Sequence, residues 1–386
     1  MSTRPTLTWS DVSARRLERA GLAGAPLPPD PAGIAAAMCG AHAQVLSAAE
    51  LSLMLRTDHG TRVAVRDALW TDRTLVKTYG PRGTVHLLPA ADLAMWTGAL
   101  SAVPAGSSPS PQGVRLTPDQ TDQVLAAIED ALEEAEPTID ELGEAVVAAT
   151  GPWAGDLVMP AFQGMWPRWR QVMHRAGQRG ALCFGPGRGR KVTYTSPRRA
   201  LPGFCPMDGP TALAALVRRY LYAYGPATSA DFATWLGAPP RWAADLFASL
   251  ADGLQQVDFA GAPAWIMAGD TSGPTADPAP VRLLPYFDAY GIASRPRDLL
   301  FPGRAAERAL AGRQAGNYPV VLIDGVVGGV WHQRRAGRRV HVTVEPLAPL
   351  TAGRRRALEA QVQRVGEILE GAAELTTGTV TVGPHA

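Results

Sequence analysis

Ser47-Ala48-Ala49-Glu50, Thr138-Ile139-Asp140-Glu141 and Thr228-Ser229-Ala230-Asp231 share one local grammar: a hydroxyl residue stands three places ahead of an acid where an apolar run of helical period begins. In that arrangement the hydroxyl accepts from the third backbone amide of the helix and the acid reaches back to the cap's own N–H. The first two fit the pattern and the third, with Asp in place of Glu, is looser. Working outward from each, the sequence calls for a second amphipathic helix and then two short strands joined by a Gly/Pro turn. Those turns are Gly80-Pro81-Arg82-Gly83, Gly185-Pro186-Gly187 and Gly261-Ala262-Pro263. The caps recur at 138−47=91 and 228−138=90 positions, the signature of a repeated supersecondary unit. Two helices closed by a two-stranded wing form a winged helix, and tandem winged helices usually handle nucleic acid.

The rest of the chain fits around these units. Asp11 to Leu17 reads as a short helix, Pro26 to Pro31 as a link, and Pro31 is placed to start a helix through Ile34, Met38 and His42. In the first unit the second helix is Val63 to Trp70 and the wing is Leu75–Tyr79 with Thr84–Leu88. Pro104–Pro111 is a Ser/Pro-rich linker. Thr117 caps a helix whose acids Glu133, Glu134 and Glu136 read as a solvated face. The second unit carries an aromatic insertion from Trp153 to Trp169 and a basic wing. The third has helices Leu213–Tyr224, Ser229–Leu236 and Arg241–Leu250. From Val281 the pattern changes to strands at Leu283–Asp288 and Pro319–Trp331. An arginine-rich hairpin at Gln333–Val342 and a late helix at Ala352–Leu369 follow, the triplet Arg354-Arg355-Arg356 reading as a solvated helix start. The expected fold class is therefore α+β: three tandem winged-helix units followed by a small C-terminal β-barrel or curled sheet. The expected domains are 1–103, 117–205, 206–275 and 280–386.

Composition bounds the partners. The chain has 386 residues, 46% of them hydrophobic, ample for ordinary cores in two to four domains. No apolar run approaches the roughly 20 residues of a membrane span, and Met1 to Ala25 lacks the order of a secretory signal, so the expectation is a soluble cytoplasmic protein. Cys39, Cys183 and Cys205 show no CxxC spacing and read as buried small apolar residues. No metal or cofactor is expected. The net charge of +2 says little about partners. More informative is that only Lys77 and Lys191, both on expected wing strands, are lysines among 37 basic residues. That scarcity fits either a general replacement of Lys by Arg or a demand for guanidinium groups at phosphates and in the minor groove. A monomer is expected, since repeats supply their own neighbours.

Standard catalytic signatures are absent. Gly185-Pro186-Gly187-Arg188-Gly189-Arg190-Lys191 superficially resembles a phosphate loop but lacks the GK[ST] ending and the following helix. One constellation stands out by position: Cys39-Gly40-Ala41-His42-Ala43-Gln44-Val45-Leu46-Ser47 sets an imidazole and a carboxamide two residues apart between two helices. On an extended segment that spacing puts both on one side. The bland alternative is a histidine bonded to a nearby carbonyl and a glutamine facing solvent.

Arg15-Arg16-Leu17, Gly40-Ala41-His42-Ala43-Gln44, the wing from Arg82 to Pro89, Leu284-Pro285-Tyr286-Phe287-Asp288 and the sheet around Val321 to Trp331 together resemble the AlkZ-like DNA glycosylases. The resemblance spans nearly the whole chain. It implies tandem winged helices ending in a small barrel, and a catalytic His-x-Gln, His42 and Gln44, where the family usually shows Gln-x-Gln or Gln-x-Asp. It also implies double-stranded DNA carrying an alkylated purine as substrate. A purine alkylated at N7 is cationic and leaves as a neutral base, so strong acid assistance is unnecessary. Gln44 would hold a water by its amide, while His42 accepts a proton from it or positions it as it approaches C1′ of an oxocarbenium-like sugar. A Schiff-base route would need Lys77 or Lys191, and wing lysines more naturally meet phosphates, so a monofunctional enzyme is expected.

Family members include self-resistance enzymes of antibiotic producers, which implies bulky antibiotic-guanine adducts as substrates. Candidate phosphate ligands are Lys77 and Arg82 on the first wing and Arg188, Arg190 and Lys191 on the second. Arg334, Arg335, Arg338 and Arg339 form a narrow ribbon suited to a minor groove. Asp288 lies near the site by analogy, although an acidic turn residue is the simpler reading. The rival reading is a non-catalytic winged-helix transcription regulator.

Overall fold

The computed structural model describes residues 4–106, 111–161 and 164–385. Residues 107–110 of the expected linker, 162–163 of the aromatic insertion and 1–3 of the N-terminal stretch lie outside the described residues. The fold is a mixture of sixteen α-helices and several sheets among the described residues. Its contacts divide it into two compact units, Met1–Ala68 with Val217–Trp235 and Pro240–Ala386, and Leu69–Leu216 with Leu236–Pro239.

The first of these units begins with the helix Trp9–Arg19, capped by the Thr8 side chain accepting from the Asp11 amide. Its Leu17 enters a core with Leu22, Leu284, Tyr290, Phe301, Leu322 and Val330. Arg16, 1% exposed, fastens the helix down by donating to the carbonyls of Gly225 (3.2 Å), Pro226 (2.8 Å) and Arg295 (2.5 Å). The third expected strand pair is present as Leu254–Phe259 with Ala262–Met267, and Thr6–Leu7 adds a parallel strand beside Leu254–Phe259. Helices ending at Tyr224, Leu236 and Ser249 supply Tyr220, Phe232, Trp235 and Phe247 to an aromatic cluster.

The C-terminal strands make one sheet in the order Val281–Leu284, Val320–Ile323, Val326–Ala336, Arg339–Pro346, Ala372–Thr377. All pairs are antiparallel except the last, whose crossover is the helix Ala352–Leu369. No closed barrel forms among the described residues, which corrects that alternative of the sequence reading: a parallel strand added through a helical crossover extends an antiparallel sheet at its edge. The expected strand also stops early. Pro285 follows its last paired residue, Phe287 takes φ +57°, and Asp288 caps the short helix Ala289–Ala293.

In the second unit the expected strand pairs appear as Leu75–Tyr79 with Val85–Pro89 and Cys183–Phe184 with Tyr194–Thr195. Lys191 itself sits ahead of that last strand, bridged to Arg188. The aromatic insertion is a further hairpin, Leu157–Ala161 with Gly164–Pro167. Their core joins Val124, Ile128, Leu142, Trp169, Leu182 and Tyr194.

The caps explain the boundaries. Thr138 and Glu141 bond reciprocally (3.4 and 2.7 Å), and Thr228 and Asp231 do the same at 3.0 Å each, so the shorter Asp suffices. Ser47 is not a cap. The helix Leu46–Met54 starts two residues earlier than a Ser47 cap would set it, behind an extended Val45 without a side-chain cap bond. Glu50 is instead buried against Arg66 (2.6 Å), so its carboxylate serves the next helix. The cysteine reading needs one change, since Cys205 is exposed while Cys39 and Cys183 are buried.

Candidate active site and nucleic-acid interface

The His-x-Gln segment is set by how the helix Pro31–Ala37 ends. Asp30 caps its start, accepting from the Ala32 amide at 3.0 Å. The helix was expected to run through His42 but stops at Ala37, where Cys39 (φ +52°) and Gly40 (φ +91°) turn left-handed in succession. The Cys39 amide donates to Ala36 O (3.0 Å) and the Gly40 amide to Ala35 O (2.9 Å). These are the two bonds of a Schellman stop, with cysteine in the position glycine usually takes. Tyr224 Oη donates to Met38 O at 2.6 Å, so a fully buried phenol, its pKa pushed well up by burial, fixes the same turn from a distant helix.

The chain then runs extended through Ala41 and His42 before Val45 opens the next helix. Ala41 and Ala43 are sealed at 0% and 1% exposure, His42 keeps 7%, and Gln44 is exposed. The imidazole is thus held at the edge of the interior while the carboxamide two residues on meets solvent. Gln44 falls at a bend beyond the strand Ala41–His42, so the side-by-side placement expected on an extended segment does not extend to it.

Asp288 is neither solvated nor a plain turn acid. Its carboxylate accepts from both terminal nitrogens of Arg56 (2.9 Å each), from Ser52 Oγ (2.6 Å) and from the Tyr290 amide (3.0 Å). The pair is buried, with side chains 0% and 2% exposed. A buried bidentate pair with its remaining lone pairs satisfied fixes geometry. It ties the helix that follows Gln44 to the end of the strand Val281–Leu284. Sequence reasoning missed this, because Arg56 and Asp288 are 232 positions apart.

The basic candidates fall into different situations. Lys77 is half-buried with its ammonium 4.5 Å from the centre of the Phe184 ring, and burial lowers its pKa. Arg82 is exposed on the wing turn with φ +58°. On the second wing Arg188 pairs with Glu141 (2.9 Å) and Lys191 with Asp140 (2.9 Å), and Arg190 is exposed. The structure brings Arg334, Arg335, Arg338 and Arg339 together on one exposed tip, where Ala336 pairs with Arg339 across a two-residue turn, Gly337-Arg338. Gly337 has φ +60° and Arg338 does not, the pattern a tight hairpin allows when glycine comes first. Arg339 lies 3.7 Å from Glu374, which also meets His341 at 3.1 Å. Among the described residues no group of three His, Cys, Asp or Glu could hold a metal ion, and no helix is long and apolar enough to cross a membrane.

Comparison with known proteins gives the class of this mixed α/β fold. The profile described as "DNA glycosylase AlkZ-like" matches residues 35–368, and the chain belongs to that family. It is therefore a DNA glycosylase, a hydrolase of the N-glycosidic bond, which sets aside the regulator reading. A relative from Streptomyces sahachiroi, named an interstrand DNA cross-link repair glycosylase, is 31% identical over 339 residues, covering 84% of this chain and 87% of its own. The solved structure of Streptomyces sahachiroi DNA glycosylase AlkZ superposes with a TM-score of 0.78 at 26% identity, over 96% of this chain and all of that one.

Proposed function

We propose that this enzyme is a monofunctional glycosylase that removes N7-alkylated purines, bulky antibiotic-guanine adducts among them, in self-resistance or DNA repair. We read its helix pairs and strand pairs as three tandem winged helices placing duplex DNA, and the protein as a cytoplasmic monomer. His42 and Gln44 carry the reaction. The observation that supports this most directly is the short connection between two helices, where His42 ends the strand Ala41–His42 and an exposed Gln44 follows two residues on, at a bend.

Gln44 presents one amide oxygen and two N–H donors to a water, and His42 accepts its proton or orients it. The water adds to C1′ as the bond to the cationic base breaks, and that base departs neutral with the bond's electron pair. Positioning and proton acceptance of this kind are each worth orders of magnitude in rate. Arg334, Arg335, Arg338 and Arg339 enter the minor groove, with Arg82 and Arg190 on flanking phosphates; Lys77, Arg188 and Lys191 reach phosphate only by leaving their present partners. A bulky adduct suits an open cleft rather than a snug pocket, so the base is attacked from the groove.

The test incubates the enzyme with duplexes carrying N7-methylguanine, a bulky N7 adduct or an interstrand cross-link, the last because the Streptomyces relative is named for cross-link repair. Free base and alkali-labile sites are the expected products. His42→Ala and Gln44→Ala should each slow release by about 10²-fold or more with little change in DNA affinity. Unchanged release in both variants would reject the site, and a borohydride-trapped adduct would reject the direct water route.

A further inference from the structure

The unit formed by Leu69–Leu216 and Leu236–Pro239 contains an open cleft of about 710 Å³ that the sequence reading did not single out. Arg82, Arg170, Arg175 and Arg179 line it with His174, and among the described residues no aspartate or glutamate does. In a chain whose net charge is only +2, the guanidinium groups of Arg170, Arg175 and Arg179 around one cavity are a strong local field. The neighbouring Arg168 shows the contrast, since it is paired with Asp156 at 3.1 Å. Among the described residues no carboxylate stands within ion-pair distance of Arg170, Arg175 or Arg179.

A second feature says what kind of anion fits. Arg170 lies over the Trp166 ring, 4.1 Å from its centroid, and that ring is 41% exposed. Trp166 belongs to the hairpin Leu157–Ala161 with Gly164–Pro167, whose Met159 lines the cleft and whose Met165 and Leu157 are 44% and 65% exposed. Several cations lining one cleft beside exposed flat and flexible apolar side chains match a polymer that alternates phosphates with sugars and bases. A small anion would leave the apolar side chains without a role.

We infer that this cleft is a second DNA-contacting surface: its guanidiniums take successive phosphodiesters of one strand, and Trp166 and Met165 lie against the sugars or base edges beside them. The inference rests on the enzyme acting on DNA.

Equilibrium binding to an undamaged duplex, followed as a function of salt, tests it. Arg170→Gln/Arg175→Gln/Arg179→Gln should bind on the order of tenfold or more weakly near 0.1 M salt, and the slope of log Kd against log salt should fall by about 2 to 3. The corresponding triple lysine variant should keep most of the slope, because charge is retained. Trp166→Ala should weaken binding while leaving the slope unchanged. If the glutamine variant does not fold, Arg179→Glu, at an exposed side chain, should still lower the slope by about 1. Wild-type affinity and slope in the glutamine variant, or in Arg179→Glu, would overturn the inference. Base release by the wild-type enzyme, measured on the same preparation, separates the two readings. A reduced slope without any release would sink the proposed reaction and leave the cleft standing, whereas release with an unchanged slope would sink the cleft alone.

Discussion

Two turns rich in basic residues meet opposite fates in this protein. In the second wing, Arg188 and Lys191 face Glu141 and Asp140, the acids in the first turn of the helix Ile139–Thr150. At the tip of Val326–Ala336 and Arg339–Pro346, four arginines stand exposed and, among the described residues, a single carboxylate, Glu374, comes near one of them. A basic residue meets a phosphate at lower cost where its own chain has not already supplied an acceptor. The same division runs inward. Arg16 is answered by three carbonyls, Arg56 by Asp288 and Lys77 by an aromatic ring. His86 is answered by being kept neutral, which makes it the sharpest probe of the internal class.

His86 is buried on the first wing, and its Nδ1 donates to Thr84 O at 2.9 Å. Burial, helped by Arg82 and opposed by that bond, lowers its pKa to about 4. As pH falls from about 6.5, the unfolded chain takes up a proton that the folded protein refuses. The ring's contribution to stability is thus complete above pH 6.5 and is lost between there and pH 4, roughly 3 kcal/mol in all. Urea midpoints of the wild type and His86→Gln should therefore converge on acidification through that window. Parallel pH profiles would mean that the fold tolerates a charged ring here and would break the contrast with the exposed tip.

The hairpin is expected to carry the next largest effect. Replacing Arg334, Arg335, Arg338 and Arg339 together by alanine should weaken duplex binding by on the order of 100-fold near 0.1 M salt and reduce the salt slope by about 3 to 4. The melting temperature should hardly move, because exposed side chains with few partners contribute little to stability. A variant that unfolds but binds normally when folded would place these arginines with the internally answered ones.

Much of this was legible because helix starts and tight turns have local chemistry. Thr117, Thr138 and Thr228 mark helix openings through bonds that span three residues, and the Gly/Pro turns mark the strand pairs. What escaped depends on distant partners. Thr6–Leu7 is too short to show a period and pairs with Leu254–Phe259 across the chain. Glu50 looks like a capping acid until Arg66 is seen to hold it. Asp288 looks like a turn acid until Arg56 closes over it. At the candidate site the residue types were readable, and the family resemblance singled out the pair. The left-handed Cys39 that ends the helix before His42 was not readable, since only the bonds to Ala35 and Ala36 and the Tyr224 hydroxyl explain it. The arginine-lined cleft was hidden because its arginines come from the turn at Pro81–Gly83 and from the short helices Arg168–Val172 and Met173–Gln178 with its C-cap Arg179, each too brief to show a period.

The smallest effect is the most discriminating. Arg188 and Lys191 with their acids are exposed pairs, with side chains between 50% and 64% exposed, of the kind worth less than about 1 kcal/mol each. If those acids occupy them, Arg188→Ala/Lys191→Ala should change duplex affinity by less than about threefold and leave the salt slope within about 0.5 of wild type. Removing the competing acids should do more. Asp140→Asn frees Lys191, and Glu141→Gln keeps the reach back to the Thr138 amide while discharging the partner of Arg188. That pair of changes should strengthen DNA binding a few-fold and steepen the slope by about 1 to 2, turning the second wing into a surface like the hairpin tip. A large loss on removing Arg188 and Lys191 would show instead that DNA displaces Asp140 and Glu141 at the wing, and that an ion pair this exposed does not keep a cation from phosphate.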